Sequence, residues 1–514
     1  MSFRSSTIAV AVAATAACHT STRPAAPQSS ARAQASPAVL QLQHDFEAVI
    51  SDPALARGTW GVLVQSLKTG ETLFAWNPQK LLLPASNMKL VTLAAAADRL
   101  GWDYTYQTRL LARGPINAGV LSGDLIVVGS GDPSIGNVDG SAARVFDGWA
   151  ERLKQLGISV VDGRIIGDDR AFDADTLGFG WSWDDLTEDY AAGVGALQFN
   201  ENAIRVSVSP GPSPGAPAAI SVDPPESGIV VVNSARTAPT GAIADVTAHR
   251  LPGQRTLVVA GSVPAGAASP AILTMAVDNA TLFFVQALRR SLIAHGIDVH
   301  GPAVDIDDVT TPVDETGASS VAVHRSPPLS VLAQRLMKVS QNQYAETFLK
   351  TLGIDRTQRD QMEREGFSRA TAIKGRTAAQ KLFQDWGVDP GSLIIRDGSG
   401  LSRYDFVTAQ ALVTILTHVY KDARLYEPFA ASLPTPGTDG TLANRLKGTA
   451  AETRLRAKTG SMSQVRALSG YLTTSDDELL VFSVIANNFD TTADVINRAT
   501  DAMLIKLAEF RRLR

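Results

Sequence analysis

The chain reads as a mixed α/β protein of the α+β kind: a five-stranded antiparallel sheet flanked by helices, with a large β-rich insertion. Three observations predict this. Two alternating strands, 59–67 and 72–76, are joined by the turn Lys68-Thr69-Gly70-Glu71, and three more (454–462, 466–474, 479–487) close the chain. Stretches with apolar residues at helical spacing flank both sets. Between them, residues 106–277 change texture to short strands punctuated by Gly, Pro and Asp turns. One sheet assembled from both chain ends follows, with the insertion leaving its layer and returning.

Taken in order, residues 37–51 have the spacing of a helix and precede the first strand pair. Alanine and leucine dominate the segment after Ser86, no glycine or proline interrupts it, and Gly101 is placed to end it. Pro84 and Ser86 suit the entry to such a helix. Within the insertion, 123–128 and 161–169 read as strands and turns, 143–156 as a helix, and 207–218 as a loop with prolines at 210, 212, 214 and 217. Strands resume at 228–232 and 256–259. An amphipathic helix runs from Asn279 to His295 and stops at Gly296. Helices follow over 328–352, 367–386 and 406–420, with a tight loop at 397–403, and a last helix covers 494–512.

At 514 residues the chain exceeds one ordinary core. A composition of 45% hydrophobic and 19% charged residues is that of a globular protein, and a net charge of −4 offers no broad basic footprint for nucleic acid. No apolar run reaches the ~18 residues that a membrane span needs. The start differs: Met1-Ser2-Phe3-Arg4 carries one positive charge, residues 6–17 are small and apolar, and Ala16-Ala17-Cys18 follows. That is the layout of a bacterial export signal over 1–18, so the protein is expected in the periplasm or cell envelope. Cys18 is the single cysteine. Its place after two alanines matches a lipid-attachment site, although Thr15 stands where leucine is usual; ordinary cleavage with Cys18 removed or idle is the other reading. Residues 19–36 read as a disordered tether.

Three short motifs carry chemistry. Ser86-Asn87-Met88-Lys89 places a hydroxyl and an amine on one helix face, and only Lys89 among the lysines has a serine three residues before it. Ser340-Gln341-Asn342 lies between helical stretches, and Lys458-Thr459-Gly460-Ser461 lies on the first closing strand. Alone, Ser86 reads as a helix cap, Asn342 as a loop residue and Lys458 as a solvated lysine. In this order and setting they form the S-x-x-K, S-x-N and K-T-G set of serine acyl-transfer enzymes. Ser86 is then the nucleophile, and Lys89, made neutral by burial and a nearby Lys458 cation, is the base. Ser340 relays a proton to the leaving amine. Asn342 holds Lys89 and a substrate amide. Lys458, Thr459 and Ser461 bind a carboxylate, and the Ser86 and Ser461 amides form the oxyanion hole. Lys68-Thr69-Gly70 repeats the third motif in a hairpin turn and is explained by its glycine. Gly211-Pro212-Ser213-Pro214-Gly215 matches G-x-S-x-G, but its prolines cannot form the required elbow. The histidines have no zinc spacing, there is no phosphate-binding loop, and no metal or cofactor is expected. Residues 397–403 read equally as turn chemistry or as a site-lining loop.

Longer strings accompany these motifs: Gly129-Ser130-Gly131-Asp132-Pro133, Trp181-Ser182-Trp183-Asp184-Asp185, Gln198-Phe199-Asn200-Glu201-Asn202 and Asp397-Gly398-Ser399-Gly400-Leu401-Ser402. With them the chain resembles, from about 58 to 490, the D-alanyl-D-alanine carboxypeptidase/endopeptidases, the low-molecular-mass class C penicillin-binding proteins. The resemblance implies a penicillin-recognising, transpeptidase/β-lactamase-like domain over 37–105 and 278–514, with one insertion nested in another over 106–277. It implies a serine DD-peptidase that trims peptidoglycan stem peptides and cuts D-Ala-diaminopimelate crosslinks, with β-lactams as covalent inhibitors. Gln341 stands where aspartate is frequent. A serine β-lactamase and a non-catalytic peptidoglycan-binding protein remain open alternatives; the long insertion speaks against the first and the intact motifs against the second.

Overall fold

The computed structural model describes residues 36–137, 139–225, 227–313, 315–354 and 371–512. The expected export signal, Cys18 and all of the tether but Ser36 lie outside these residues, as does the expected helix start at 367. Ser36 itself caps the first helix, its hydroxyl accepting from the Val39 amide.

Strands β1 (Thr59–Ser66), β2 (Thr72–Trp76), β3 (Leu455–Met462), β4 (Val465–Thr473) and β5 (Leu479–Asn487) form one antiparallel sheet in the order β2-β1-β5-β4-β3. β1 joins the chain ends by pairing along its length with β5, from Thr59 opposite Asn487 to Ser66 opposite Leu480. Both faces are covered. The helices that matter are α1 (Pro37–Ile50), α2 (Met88–Leu100), α3 (Asn342–Leu352), α4 (Ala409–Lys421) and α5 (Ala493–Glu509). The two-residue period of a strand sends Val62, Val64, Phe482 and Val484 into a core with α1 and α5. It sends Leu63, Val481 and Ile485 into a larger core with α2, α3 and α4. α2 is buried on every side from Met88 to Ala97, and Lys89 is the one charged residue in that run. Gly101, at φ 82°, ends it.

The segment expected as the insertion begins with the strand Gln107–Arg113, which lies between Asp124–Val128 and Ser319–Arg325 in a sheet that also contains Ile165–Asp168 and Ala303–Asp305. Residues 203–276 form two further sheets inside this sequence span. Beyond the expected return at 278, Ser319–Arg325 lies antiparallel to Gln107–Arg113. The helix Ala280–Ala294 buries Phe283, Phe284 and Leu288 in the insertion's core, not in that of the β1–β5 sheet. An amphipathic stripe looks the same whichever core receives it, so the local pattern could not place this helix. The last helix ends at Glu509, short of 512, and a further short helix forms at Tyr426–Ser432.

Buried polar contacts fasten the insertion to α3 and the turn before it. Gln343 Nε2 donates to Gln198 Oε1 at 2.6 Å, and Gln341 Nε2 to Glu201 Oε2 at 2.7 Å. Lys350 Nζ reaches Asp173 Oδ1 at 2.8 Å and the carbonyls of Asp175 and Val194 at 2.6 and 3.0 Å, with both charged side chains almost wholly buried. Lys350→Met removes one partner of this buried pair and leaves the Asp173 charge uncompensated, so a loss of about 3–5 kcal/mol of stability is expected in a denaturant titration.

Candidate active site

Ser86 sits on a single 3-10 turn, Ala85–Asn87, that feeds straight into α2. The turn is held tightly in place. Ala85 takes the left-handed φ of 45°, and Gly400 packs so closely against it that a side-chain carbon there would overlap the Ala85 carbonyl. Leu83 N donates to Asn487 Oδ1 at 2.7 Å, tying the turn to β5. Asn87 Nδ2 donates to the Lys458 carbonyl at 3.0 Å, tying it to β3. Gly460 explains why β3 can lie so near: a side-chain carbon there would stand 2.6 Å from the Pro84 carbonyl.

Lys89 Nζ lies 2.9 Å from Ser86 Oγ, 2.6 Å from Asn342 Oδ1 and 2.9 Å from the Ser399 carbonyl oxygen. The residue is fully buried, and burial pulls its pKa down to about 7, against the opposing pull of the Asp397 and Glu346 carboxylates. Lys458, also fully buried, donates to Ser340 Oγ at 2.8 Å and to the Thr459 carbonyl at 2.9 Å. Its pKa is held well below the ordinary lysine value by burial first and by Lys89 second. Burial is thus the first cause at both lysines, and the repulsion between the two amines disfavours charge on the pair. Ser340 adopts a left-handed φ of 64° in the turn before α3, and its hydroxyl meets Lys458 on β3.

Ser86, Lys89, Ser340, Asn342 and Lys458 therefore converge from three separate segments of the chain. Thr459 and Ser461 alternate with Lys458 and Gly460 along β3; Thr459 Oγ1 bonds Thr441 Oγ1 at 2.6 Å, and Ser461 is exposed at the rim. Asn342 bridges the lysine and the segment around Tyr190. Its Oδ1 holds Lys89, and its Nδ2 donates to the Tyr190 carbonyl of the insertion at 2.7 Å. The Lys68-Thr69-Gly70 copy stays in the exposed β1–β2 turn, where Gly70 has φ 75° and its amide bonds the Ser66 carbonyl. No cluster of potential metal ligands occurs among the described residues.

The loop at 397–403 lines the site. Asp397 folds it by accepting from the amides of Ser399, Gly400 and Ser402 at 3.1, 2.6 and 2.7 Å. From outside, Trp181 Nε1 of the insertion donates to Asp397 Oδ2 at 2.9 Å. Ser399, Trp181 and Tyr190 escaped the reading of chemistry because each contributes through a backbone atom or at one remove. The signal available was that both long strings, Trp181 to Asp185 and Asp397 to Ser402, fall in this one place.

A serine at a helix start, a half-neutral buried lysine bonded to it, and a second buried lysine on the adjoining edge strand define a serine hydrolase of the penicillin-recognising fold. Comparison carries this further. A model of the D-Ala-D-Ala carboxypeptidase 3 (S13) family matches residues 42–509. A D-alanyl-D-alanine carboxypeptidase from an Actinomadura species is 34% identical over 482 residues, covering 91% of this chain and 85% of the relative. The D-alanyl-D-alanine carboxypeptidase DacB of Haemophilus influenzae is 28% identical over 87% of this chain and 88% of its own. The crystal structure of penicillin binding protein 4 from H. influenzae aligns with a TM-score of 0.73 at 25% identity, over 90% of this chain and 97% of that one. The chain belongs to the D-Ala-D-Ala carboxypeptidase 3 (S13) family and is a serine-type D-Ala-D-Ala carboxypeptidase.

Gly400→Ala tests the packing around the nucleophile. At φ 83° a left-handed alanine alone costs about 1–3 kcal/mol, and the overlap with the Ala85 carbonyl adds to it. Acylation by a fluorescent penicillin should slow on the order of 100-fold, since a small misplacement of a nucleophile has that effect.

Proposed function

We propose that this carboxypeptidase works through a Ser86 acyl-enzyme with Lys89 as its general base. One observation carries the assignment. A neutral amine has two N–H groups and one lone pair. Asn342 Oδ1 and the Ser399 carbonyl can only accept, so they take both N–H groups and leave the lone pair facing Ser86 Oγ. With a pKa of about 7 the amine is neutral in a large share of molecules near neutral pH.

Ser86 Oγ attacks the carbonyl carbon of the terminal D-Ala-D-Ala bond as its proton passes to Lys89 Nζ. The Ser86 and Ser461 amides receive the developing oxyanion. The C–N bond breaks, the D-Ala amine takes a proton by way of Ser340 Oγ, and an ester to Ser86 remains. Water, deprotonated by Lys89, hydrolyses it. Burial and Lys89 hold Lys458 below its ordinary charge, so an arriving substrate carboxylate meets an amine that gains a proton on pairing with it. Thr459 and Ser461 stand beside that position, and the second N–H of Asn342 Nδ2 is left to meet a substrate amide.

The same chemistry at a D-Ala-to-diaminopimelate bond would make the enzyme an endopeptidase as well. β-Lactams are read as covalent inhibitors; the H. influenzae penicillin binding protein 4 has been solved with one bound. The export reading of 1–18 places the enzyme in the periplasm or cell envelope, on stem peptides, with Cys18 as the one candidate for a lipid anchor. No described helix is long and apolar enough to cross a membrane. In domain terms, 107–325 acts as the insertion and 203–276 as a module nested in it.

Fluorescent penicillin should label the wild type and not Ser86→Ala; labelling of both would remove Ser86 from the nucleophile's role. Mass spectrometry of muropeptides incubated with the enzyme should show loss of a terminal D-Ala, with cleaved crosslinks if the endopeptidase reading holds. Because the base must be neutral, the acylation rate should fall as pH drops through about 7. Lys89→Arg, whose guanidinium stays protonated, should abolish acylation at every pH in the same assay.

A further inference from the structure

Four residues beyond Asn342, on the same face of α3, lies a buried carboxylate that the reaction above does not use. Glu346 grips the loop behind Lys89 with both oxygens. Oε1 accepts from the amides of Gly398 and Ser399 at 3.0 and 2.8 Å, and Oε2 from Gly398 at 2.9 Å. The Ser399 carbonyl, one peptide further on, is an acceptor for Lys89 Nζ. The Gly398 carbonyl is fixed in turn by Thr92 Oγ1 at 2.6 Å, from α2 itself. Gly398 has no room for a side chain, since one would stand 2.6 Å from the Ala345 carbonyl of α3. A single helix face thus supplies Asn342 to the amine directly and holds its second acceptor in place through Glu346.

We propose that Glu346 is a positioning residue for this reaction: by gripping the Gly398 and Ser399 amides from α3 it holds the Ser399 carbonyl on Lys89 and so aims the base. The inference rests on Lys89 being the base.

A carboxylate is needed here, and a neutral amide would not serve. Three N–H bonds converge on two oxygens, and a glutamine would turn one of those acceptors into a donor pointed at a backbone N–H. The charge matters as well. The Asp397 and Glu346 carboxylates raise the proton affinity of Lys89 against its burial. Glu346 is itself pushed up to about 7 by burial and by Asp397, so it titrates in the same range as the lysine. Other charges near this pair are Lys458 on β3, which is sensitive to Lys89, and Asp405, which shares a hydrogen bond with Asp397 and is held well above the carboxylate range. Arg376 lies within reach of Glu346, Asp397 and Asp405, and bonds the Arg396 carbonyl at 3.0 Å. Of these, Asp397 and Glu346 both bear on Lys89 and both hold the loop, Asp397 from within it through the Ser399 and Gly400 amides and Glu346 from α3 through the Gly398 and Ser399 amides.

The test is the pH profile of acylation by a fluorescent penicillin, measured on wild type, Glu346→Gln and Glu346→Asp, with thermal melts of each. The wild type comes first: without an acidic limb near pH 7 the assignment of Lys89 as base fails, independently of Glu346. Given that limb, Glu346→Gln should move its midpoint to lower pH, because removing a negative charge makes the lysine lose its proton more readily. Its plateau should fall on the order of 10- to 100-fold as the Ser399 carbonyl drifts from the amine. Glu346→Asp keeps the charge but draws it back by one methylene, so the plateau should fall while the midpoint stays near that of the wild type. A residue that merely stabilises the fold would lower the melting temperature and the plateau and leave the limb in place in both variants; that result overturns the proposal. If Glu346→Gln fails to fold, Glu346→Asp decides alone, and a wild-type plateau in it overturns the proposal equally.

Discussion

The structure depends on one amine kept out of water. Lys89 lies in a helix that is buried on every side, so its nitrogen must find all its partners inside the protein. The partners supplied are a hydroxyl, an amide oxygen and a carbonyl oxygen, none of them charged. A carboxylate in direct contact would have kept the proton on the lysine. Holding the carboxylates one layer further back, at Glu346 and Asp397, lets burial win and leaves the amine near half neutral. The same rule applies to Lys458, whose nearest partners are again a hydroxyl and a carbonyl.

This arrangement explains the presence of so many small residues. The nucleophile's turn, β3, α3 and the loop at 397–402 approach one another at backbone distance, and glycines 398, 400 and 460 stand at those contacts. Each contact delivers a backbone carbonyl or amide where a longer side chain would lack precision. The insertion takes part as well. Trp181 braces Asp397, and the Tyr190 carbonyl holds Asn342, so two inserted residues bear on groups that touch or surround Lys89. Lys350 and Asp173 fasten the inserted segment to the very helix that carries Asn342 and Glu346.

Much of the fold was legible because it rests on local period. Strands over 454–462, 466–474 and 479–487 are found as Leu455–Met462, Val465–Thr473 and Leu479–Asn487, and the helix expected from Asn279 to His295 as Ala280–Ala294. What period cannot convey is which core an element joins. The helix at 280–294 and the strand at 319–325 show this, since both belong with strands that lie more than a hundred residues earlier.

In the site, sequence alone determined the identity of the groups that act through their own side chains. Ser86 and Lys89 are bound to meet because three residues along a helix bring them to one face, and the order of the three motifs named the chemistry. Tertiary structure decided everything that depends on a backbone atom or on the surrounding dielectric. No sequence pattern announces that the Ser399 carbonyl will receive a lysine, that Tyr190 will occupy Asn342, or that Glu346 will lie under the loop. Nor could it say which influence lowers Lys89. Burial and charge both act on a lysine's proton, and only the packed structure shows that desolvation prevails while the neighbouring charges oppose it.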